Sequence, residues 1–308
     1  MSDIVIDGLV LHYQRSGHGQ PVVLVHGSWD DHHGWDDLVP YLEPHLTVIR
    51  YDRRGHGRSD CPPGQGRIGE DVDDLAGLIQ HLGHSRVHLV GHSYGATVAL
   101  LSALRYPQLC RSLTIHEPPL FALLAEAGEA ELTRQVRDRM SRVMTLLASG
   151  EIEEGTQTFV DEVGFGPGTW DHVLDSGLRK TFIDHADTWL DQARDPDRLA
   201  LEAELLATVS TPTLITRGDR GLPWYPPVMR ILADTIPDAI LHVIHGCAHA
   251  PQLTHPNEFA TAIIEHVDVL TRLSMPGRQE SRRHCRPCTD SQHPIEAKVK
   301  PSSPNPAS

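Results

Sequence analysis

Eight short apolar runs, separated by longer stretches with helical spacing, constrain this chain of 308 residues more than any other feature. The runs are Ile4–Ile6, Leu9–Tyr13, Val22–Val25, Leu46–Tyr51, Val87–Val90, Ser112–Ile115, Thr213–Thr216 and Ile240–Ile244. Amphipathic segments lie between or after them, over Trp35–Leu42, Glu70–Leu82, Tyr94–Tyr106, Pro226–Ile236 and Asn257–Leu273. Short apolar strands alternating with helices predict an α/β fold in which a mostly parallel, doubly wound sheet carries helices on both faces. So many strands argue for one sheet in preference to two small domains.

The alternation stops between residues 118 and 206, a stretch rich in Leu, Ala, Glu, Asp and Arg without a convincing strand. It reads as a helical cap inserted into a core made of residues 1–117 and 207–274. From Met275 to Ser308 the chain is rich in Pro and Ser and nearly free of large apolar residues, the composition of a disordered tail.

Net charge narrows the partners. At a formal −14 the chain lacks the clustered basic face that phosphate contacts need, so a nucleic-acid partner is not expected. No run approaches the ~18 apolar residues of a membrane span. The N-terminal segment alternates polar and apolar residues like a strand pair, without a basic leader or cleavage site. The five cysteines are scattered and odd in number, which suits a reducing, cytoplasmic setting.

Chemistry is concentrated at Gly91-His92-Ser93-Tyr94-Gly95, directly after the apolar run Val87–Val90 and before a helix-compatible stretch. A serine on a sharp strand-to-helix turn stands clear of the sheet, and small residues two positions away let strand and helix approach. The helix N-terminus then favours negative charge developing at the reacting oxygen.

This segment resembles the nucleophile elbow of the α/β-hydrolase family, and two others resemble that family in the right order. Val22-Val23-Leu24-Val25-His26-Gly27-Ser28-Trp29 is similar to its HG-x strand and loop, and Tyr51-Asp52-Arg53-Arg54-Gly55-His56-Gly57-Arg58-Ser59 to its D-x-R-G-x-G-x-S loop. The resemblance implies that Ser93 is the nucleophile and that the backbone N–H groups of Ser28 and Tyr94 form the oxyanion hole. His249, in Gly246-Cys247-Ala248-His249 after the last strand, would be the general base. His26 and His92 would support loops.

The acid departs from the commonest family pattern. Relatives often carry G-x-x-D after the strand that ends near Thr216, whereas Gly218-Asp219-Arg220-Gly221 has glycine in that aspartate's place. Two carboxylates could serve: Glu117, after the strand Ser112–Ile115, which is preferred, or Asp219, in the usual loop but two residues early. Either would fix the histidine tautomer and stabilise the imidazolium.

Serine at the elbow suits acyl transfer, so the expected reaction is hydrolysis of a small or medium hydrophobic ester, thioester or lactone through an acyl-enzyme. C–C bond hydrolysis, hydroxynitrile cleavage, cofactor-free peroxidation and ligand sensing with slow turnover are alternatives on the same fold. Leu120, Phe121, Trp170, Phe182 and Trp189 are candidates for the pocket wall.

No cofactor or metal is expected. Gly64-Gln65-Gly66-Arg67-Ile68-Gly69 spells a dinucleotide motif, but Pro62-Pro63 precedes it where a buried strand is required. Cys285 and Cys288, with His284 and His293, lack a second cysteine pair and a surrounding fold. Asp30, Asp31, His32 and His33 read as a polar loop at the cleft edge.

Overall fold

The computed structural model describes residues 2–274 except positions 200 and 202. The expected disordered tail and the Cys285–Cys288 pair lie outside the described residues. Met1–Leu273 form one compact unit.

Strands β1 (Ser2–Ile6), β2 (Leu9–Gly17), β3 (Gln20–Val25), β4 (Leu46–Tyr51), β5 (Val87–His92), β6 (Cys110–His116), β7 (Thr213–Gly218) and β8 (Ile240–Ile244) form one sheet in the order β1-β2-β4-β3-β5-β6-β7-β8. The pairings β1–β2 and β2–β4 are antiparallel, and the rest are parallel. Parallel strands need crossover connections, and helices supply them: α1 (Val39–Leu42) before β4, α2 (Ile68–His81) before β5, α3 (Tyr94–Arg105) before β6 and, later, α11 (Tyr225–Thr235) before β8; α12 (Pro251–Thr254) and α13 (Pro256–Ser274) follow the last strand.

Both faces of the sheet are buried, and β3 shows how. Val23 and Val25 join a core cluster with α2, α3 and α11, while Val22 and Leu24 join a second cluster with α1 and α13. A period of two with both faces apolar is what a central parallel strand requires.

Two segments differ from expectation. The stretch Trp35–Leu42 is not one helix but a 3-10 turn over His32–Trp35 followed by the single turn α1. Pro40 is the cause, since proline is tolerated in a first helical turn and not inside a helix. Strand β2 runs on past Tyr13 to Gly17 because each of those residues pairs with β4.

Between β6 and β7 the described residues form helices only: α4 (Ala122–Glu126), α5 (Ala130–Ala148), α6 (Ile152–Phe159), a π-helical turn over Val160–Gly164, α7 (Thr169–His172), α8 (Ser176–Asp184), α9 (Ala186–Arg194), a 3-10 turn over Pro196–Leu199, and α10 (Ala203–Leu206). Helices α5 to α9 share a third apolar cluster with Trp29 and Ala250 of the sheet's loops, whereas Leu123 and Leu124 of α4 and Leu206 of α10 join the first cluster. Trp29 stacks on Trp189 at 5.1 Å and meets Phe159 at 4.9 Å.

Polar ties fix α9 to the same side of the sheet. His185 accepts the Gly57 N–H on Nε2 at 3.0 Å and lies 3.0 Å from Trp29 O through Nδ1, and the Thr188 hydroxyl donates to Gly55 O. The Asp191 and Asp195 carboxylates accept the N–H groups of Gly66 and Ile68, so the glycine-rich spelling at 64–69 is a loop running into the start of α2, anchored by one carboxylate in α9 and one just after it.

The turn from β5 into α3 depends on two close approaches. A Cβ on Gly91 would lie 2.4 Å from Gly95 O, and one on Gly95 would lie 2.2 Å from Val25 O and 2.4 Å from His26 O. Backbone occupies those volumes, so Gly95→Ala should force α3 off β3 at a cost of about 1–3 kcal/mol. A lower urea midpoint with an unchanged m-value is the expected result; an unaltered midpoint would show that the approach is slack.

Candidate active site

Ser93 sits between β5 and α3 at φ 54° and ψ −123°. Only four non-glycine residues among those described have positive φ, and Glu117, at the end of the neighbouring strand β6, is another, with φ 43°. Such conformations cost of order 1–3 kcal/mol each and persist where surrounding structure imposes them. Here the Ser93 N–H donates to His116 O at 2.9 Å and the Glu117 N–H to Thr216 O at 3.3 Å, so the sheet holds both turns.

Glu117 is fully buried. Its Oε1 accepts the Gly218 N–H at 3.0 Å, and its Oε2 accepts from His249 Nδ1 at 2.7 Å. That bond leaves His249 Nε2 as the proton acceptor. The imidazole is wedged between rings: Tyr225 stacks at 4.7 Å and 18°, and Phe165 meets it edge-on at 5.0 Å. Burial pushes Glu117 up to about 8 and His249 down to about 3, because desolvation penalises charge on either.

His92, next to the elbow serine, binds the same loop. It donates from Nε2 to His249 O at 2.7 Å and accepts weakly from Gln252 at 3.4 Å. Burial and the neighbouring His249 hold it neutral.

Asp219 does not meet His249. Its carboxylate accepts from His245 Nδ1 at 2.9 Å and from the Gly246 N–H at 2.8 Å, and the His245 bond lowers its pKa. At the customary acid position, a Cβ on Gly221 would be in ordinary contact with Glu117, 3.6 Å from its Oε1. Glu117 fills the space toward which a residue-221 side chain would point.

The loop after β3 is held by Arg53, which is wholly buried. Arg53 donates from Nε to His26 O at 3.1 Å, from Nη2 to Gly27 O at 2.9 Å, and from Nη1 to Asp71 at 3.0 Å. His56 Nε2 lies 2.9 Å from Ser28 O. His26 donates from Nδ1 to Gly27 O and accepts the Arg53 N–H on Nε2, the pattern of a neutral ring that burial keeps uncharged. The carbonyls of 26, 27 and 28 are thus all engaged, and among the described residues no hydrogen-bond acceptor meets the backbone N–H of Ser28 or Tyr94. Unpaired donors beside a strained serine can stabilise an oxyanion.

Two cavities of about 10 Å³ each flank Ser93, each the size of a single water. Ser28 and Phe159 line both; Phe121, Tyr225 and Arg198 line one, and Phe182, Phe165 and Asp30 the other. Of the expected wall residues, Phe121 and Phe182 face this space, while Leu120, Trp170 and Trp189 are core packing. Sequence reasoning missed Arg198, Tyr225, Phe159 and Phe165. Tyr225 could have been noticed, since it opens the helix after the loop that has Gly221 at the customary aspartate position. Roomier clefts of about 370 and 550 Å³ lie at the seam between the 54–66 loop and α9, without Ser93 among their walls.

Among the described residues, three side-chain clusters have metal-ligand types within reach of one another. His12, His32 and Asp52 form one, Asp31, His32 and His33 another, and His116, Glu117 and His249 the third. In the first, His32 Nδ1 is bonded to Asp52 at 2.6 Å and His32 Nε2 to Gln14 at 2.7 Å, so a hydrogen-bonded network already employs those atoms.

Residues 22–262 match the model of the alpha/beta hydrolase family. The 2-hydroxy-6-oxononadienedioate/2-hydroxy-6-oxononatrienedioate hydrolase 2 of Pseudomonas putida is 29% identical over 280 residues, 83% of this chain and 91% of that protein. The 2-(acetamidomethylene)succinate hydrolase of Mesorhizobium japonicum is 26% identical over 269 residues, 85% of this chain and 93% of its own. A thermophilic esterase from Thermogutta terrifontis, solved with malate bound, superposes with a TM-score of 0.68 at 26% identity, covering 88% of this chain and 99% of that one.

Asp30 makes a separate demand on stability. It is buried, and desolvation raises its carboxyl from 3.8 to about 8. Between those values the folded chain keeps a proton that the unfolded chain has released, so folding stability falls as pH rises from about 4 to about 8. Asp30→Asn removes the titration. Its melting temperature relative to the parent should therefore climb from pH 5 to pH 8, by on the order of 5 °C. A difference independent of pH would refute the raised pKa.

Proposed function

The chain belongs to the alpha/beta hydrolase family, and from that premise we propose that it hydrolyses a small or medium ester, thioester or lactone through an acyl-enzyme at Ser93. The observation that carries this reading is the buried bond from His249 Nδ1 to Glu117 Oε2 at 2.7 Å, behind a serine in a strained strand-to-helix turn.

In this mechanism His249 Nε2 takes the Ser93 proton as Oγ attacks the acyl carbon. The Ser28 and Tyr94 N–H groups receive the oxyanion, and the imidazolium returns its proton to the leaving group. Water, deprotonated by His249, then releases the acid and restores Ser93. Glu117 orients the ring through Nδ1, and as Nε2 takes up the proton its carboxylate stabilises the imidazolium. Apolar walls supplied by Phe121, Phe159 and Phe182 favour a hydrophobic acyl portion.

The Pseudomonas putida relative favours a second reading, hydrolysis of a C–C bond beside a ketone, which the same nucleophile, base and oxyanion donors could perform. A cytoplasmic location accompanies either reading. It is supported by Cys61, Cys110 and Cys247 being free.

Two comparisons test the assignment. A fluorophosphonate should label the parent at Ser93 and leave Ser93→Ala untouched; a folded parent that resists labelling would remove the acyl-enzyme. Glu117→Gln should lower kcat/KM by roughly 10²–10⁴-fold and Asp219→Asn by far less, since the glutamine spoils the histidine tautomer. In a Glu117→Ala background, Gly221→Asp should recover part of the loss by approaching His249 from β7. The reverse order of losses would transfer the role to Asp219.

A further inference from the structure

Arg198 lies in the 3-10 turn Pro196–Leu199, where the chain returns from the helical segment toward β7. The residue is only 6% exposed. The guanidinium is 5.6 Å from the ring centre of Tyr94 and 5.7 Å from that of Trp189. Its Nε and Nη1 are buried without a hydrogen-bond partner among the described residues.

A comparison within the site sets this arginine apart. Arg53 sits over the same Tyr94 ring at 4.7 Å, yet its donors go to His26 O, Gly27 O and Asp71. One guanidinium is therefore fully employed, while two nitrogens of its neighbour, Nε and Nη1, are buried and unused. Of the two carboxylates nearest in sequence, Asp197 pairs with Arg67 and Asp195 accepts the N–H groups of Ile68 and Asp197, and among the described residues neither forms an ion pair with Arg198.

Guanidinium does not shed its proton in a protein, so this charge is retained although burial opposes it. Cation–π contact with two rings offsets part of the desolvation but leaves the hydrogen-bonding demand unmet. Arg198 is also the only charged residue lining the cavity that it shares with Ser93 and Ser28; Pro119, Phe121, Met140, Phe159 and Val163 form much of the remainder.

We propose that Arg198 anchors a carboxylate on the substrate, so that the molecule cleaved at Ser93 carries an acid group as well as its scissile acyl carbon. This deepens the reading of Ser93 as nucleophile and rests on it only for the cleavage, not for the binding. A carboxylate matches the fork with two parallel N–H···O bonds, whereas the apolar walls accept the hydrocarbon between acid and acyl carbon. Half-esters and lactones of dicarboxylic acids are substrates of this chemistry.

The test uses mono-4-nitrophenyl glutarate and its methyl ester, in which the free carboxylate is masked. Release of 4-nitrophenolate as water replaces it reads each rate. The parent should prefer the acid by at least about tenfold in kcat/KM, and Arg198→Gln should lower that preference by roughly 10–100-fold. Arg198→Lys, which keeps charge without the fork, should fall between. A merely structural arginine would lower both rates together and leave their ratio intact, which overturns the proposal, as does a parent that prefers the methyl ester.

Glutarate binding separates this from the fate of Ser93. Free glutarate should raise the melting temperature of the parent and of Ser93→Ala but not of Arg198→Gln, while dimethyl glutarate raises none. That pattern upholds the anchor even if fluorophosphonate labelling fails and neither ester is cleaved. No shift with glutarate in the folded parent overturns it, whether or not Arg198→Gln folds.

Discussion

The bond between His249 Nδ1 and Glu117 Oε2 ties together parts of the chain that are far apart in sequence, and the rest of the site is arranged around it. Glu117 reaches it only because β6 ends in a left-handed residue, and His249 only because the loop after β8 folds back over Tyr225 and Phe165. Between them stands β7, whose Gly218 N–H holds the second carboxylate oxygen. Three strand ends thus converge on one carboxylate. Open α/β sheets place their ligand chemistry at the carboxyl ends of strands, and here the sheet order β5-β6-β7-β8 makes those ends adjacent.

Preorganisation on the opposite side of Ser93 follows from a single buried arginine. By engaging the carbonyls of His26 and Gly27, Arg53 fixes the peptide planes leading to Ser28, and its ion pair with Asp71 connects this loop to α2. A loop held this way does not have to reorganise as charge develops, which is the main energetic advantage an enzyme site has over water. Removal of one partner would leave an uncompensated buried charge, so the pair is better understood as fixing geometry than as adding stability.

Much of this was legible in the sequence, for reasons that differ by element. Strands β3 and β5 were clear because both faces are buried and their apolar runs are continuous. The first helix was misjudged because periodicity outweighed Pro40. The two candidate acids could not be separated by spacing, since which carboxylate meets His249 turns on the backbone angle of Glu117, which is not a pattern of letters. Aromatic residues in the helical segment announced burial but not direction, so Phe121 and Phe182 reached the cavity while Trp170 and Trp189 did not. Arg198 was invisible: it is one charged residue among many in 118–206, and only its burial distinguishes it.

The smallness of the space above Ser93 makes the helical segment part of the chemistry. Pockets that enclose a small molecule usually measure about 300–1,000 Å³, far above the cavities here. On the reading that Ser93 is the nucleophile, admission of a substrate requires the helical segment to yield, and its hydrogen bonds to the core oppose this more at one edge than at another. Along α9, His185, Thr188, Asp191 and the following Asp195 are all bonded to core loops, so that edge resists separation. At the other edge, Phe159 lines both cavities and opens directly into the π-helical turn Val160–Gly164. Gly164 leaves the Phe159 ring its room, since a Cβ there would come within 2.7 Å of Cε1. A π-turn carries poorer backbone bonding than an α-helix and often marks functional positions. Rotation of one ring at that turn alters both cavities at once, whereas movement of α9 would have to break several hydrogen bonds first.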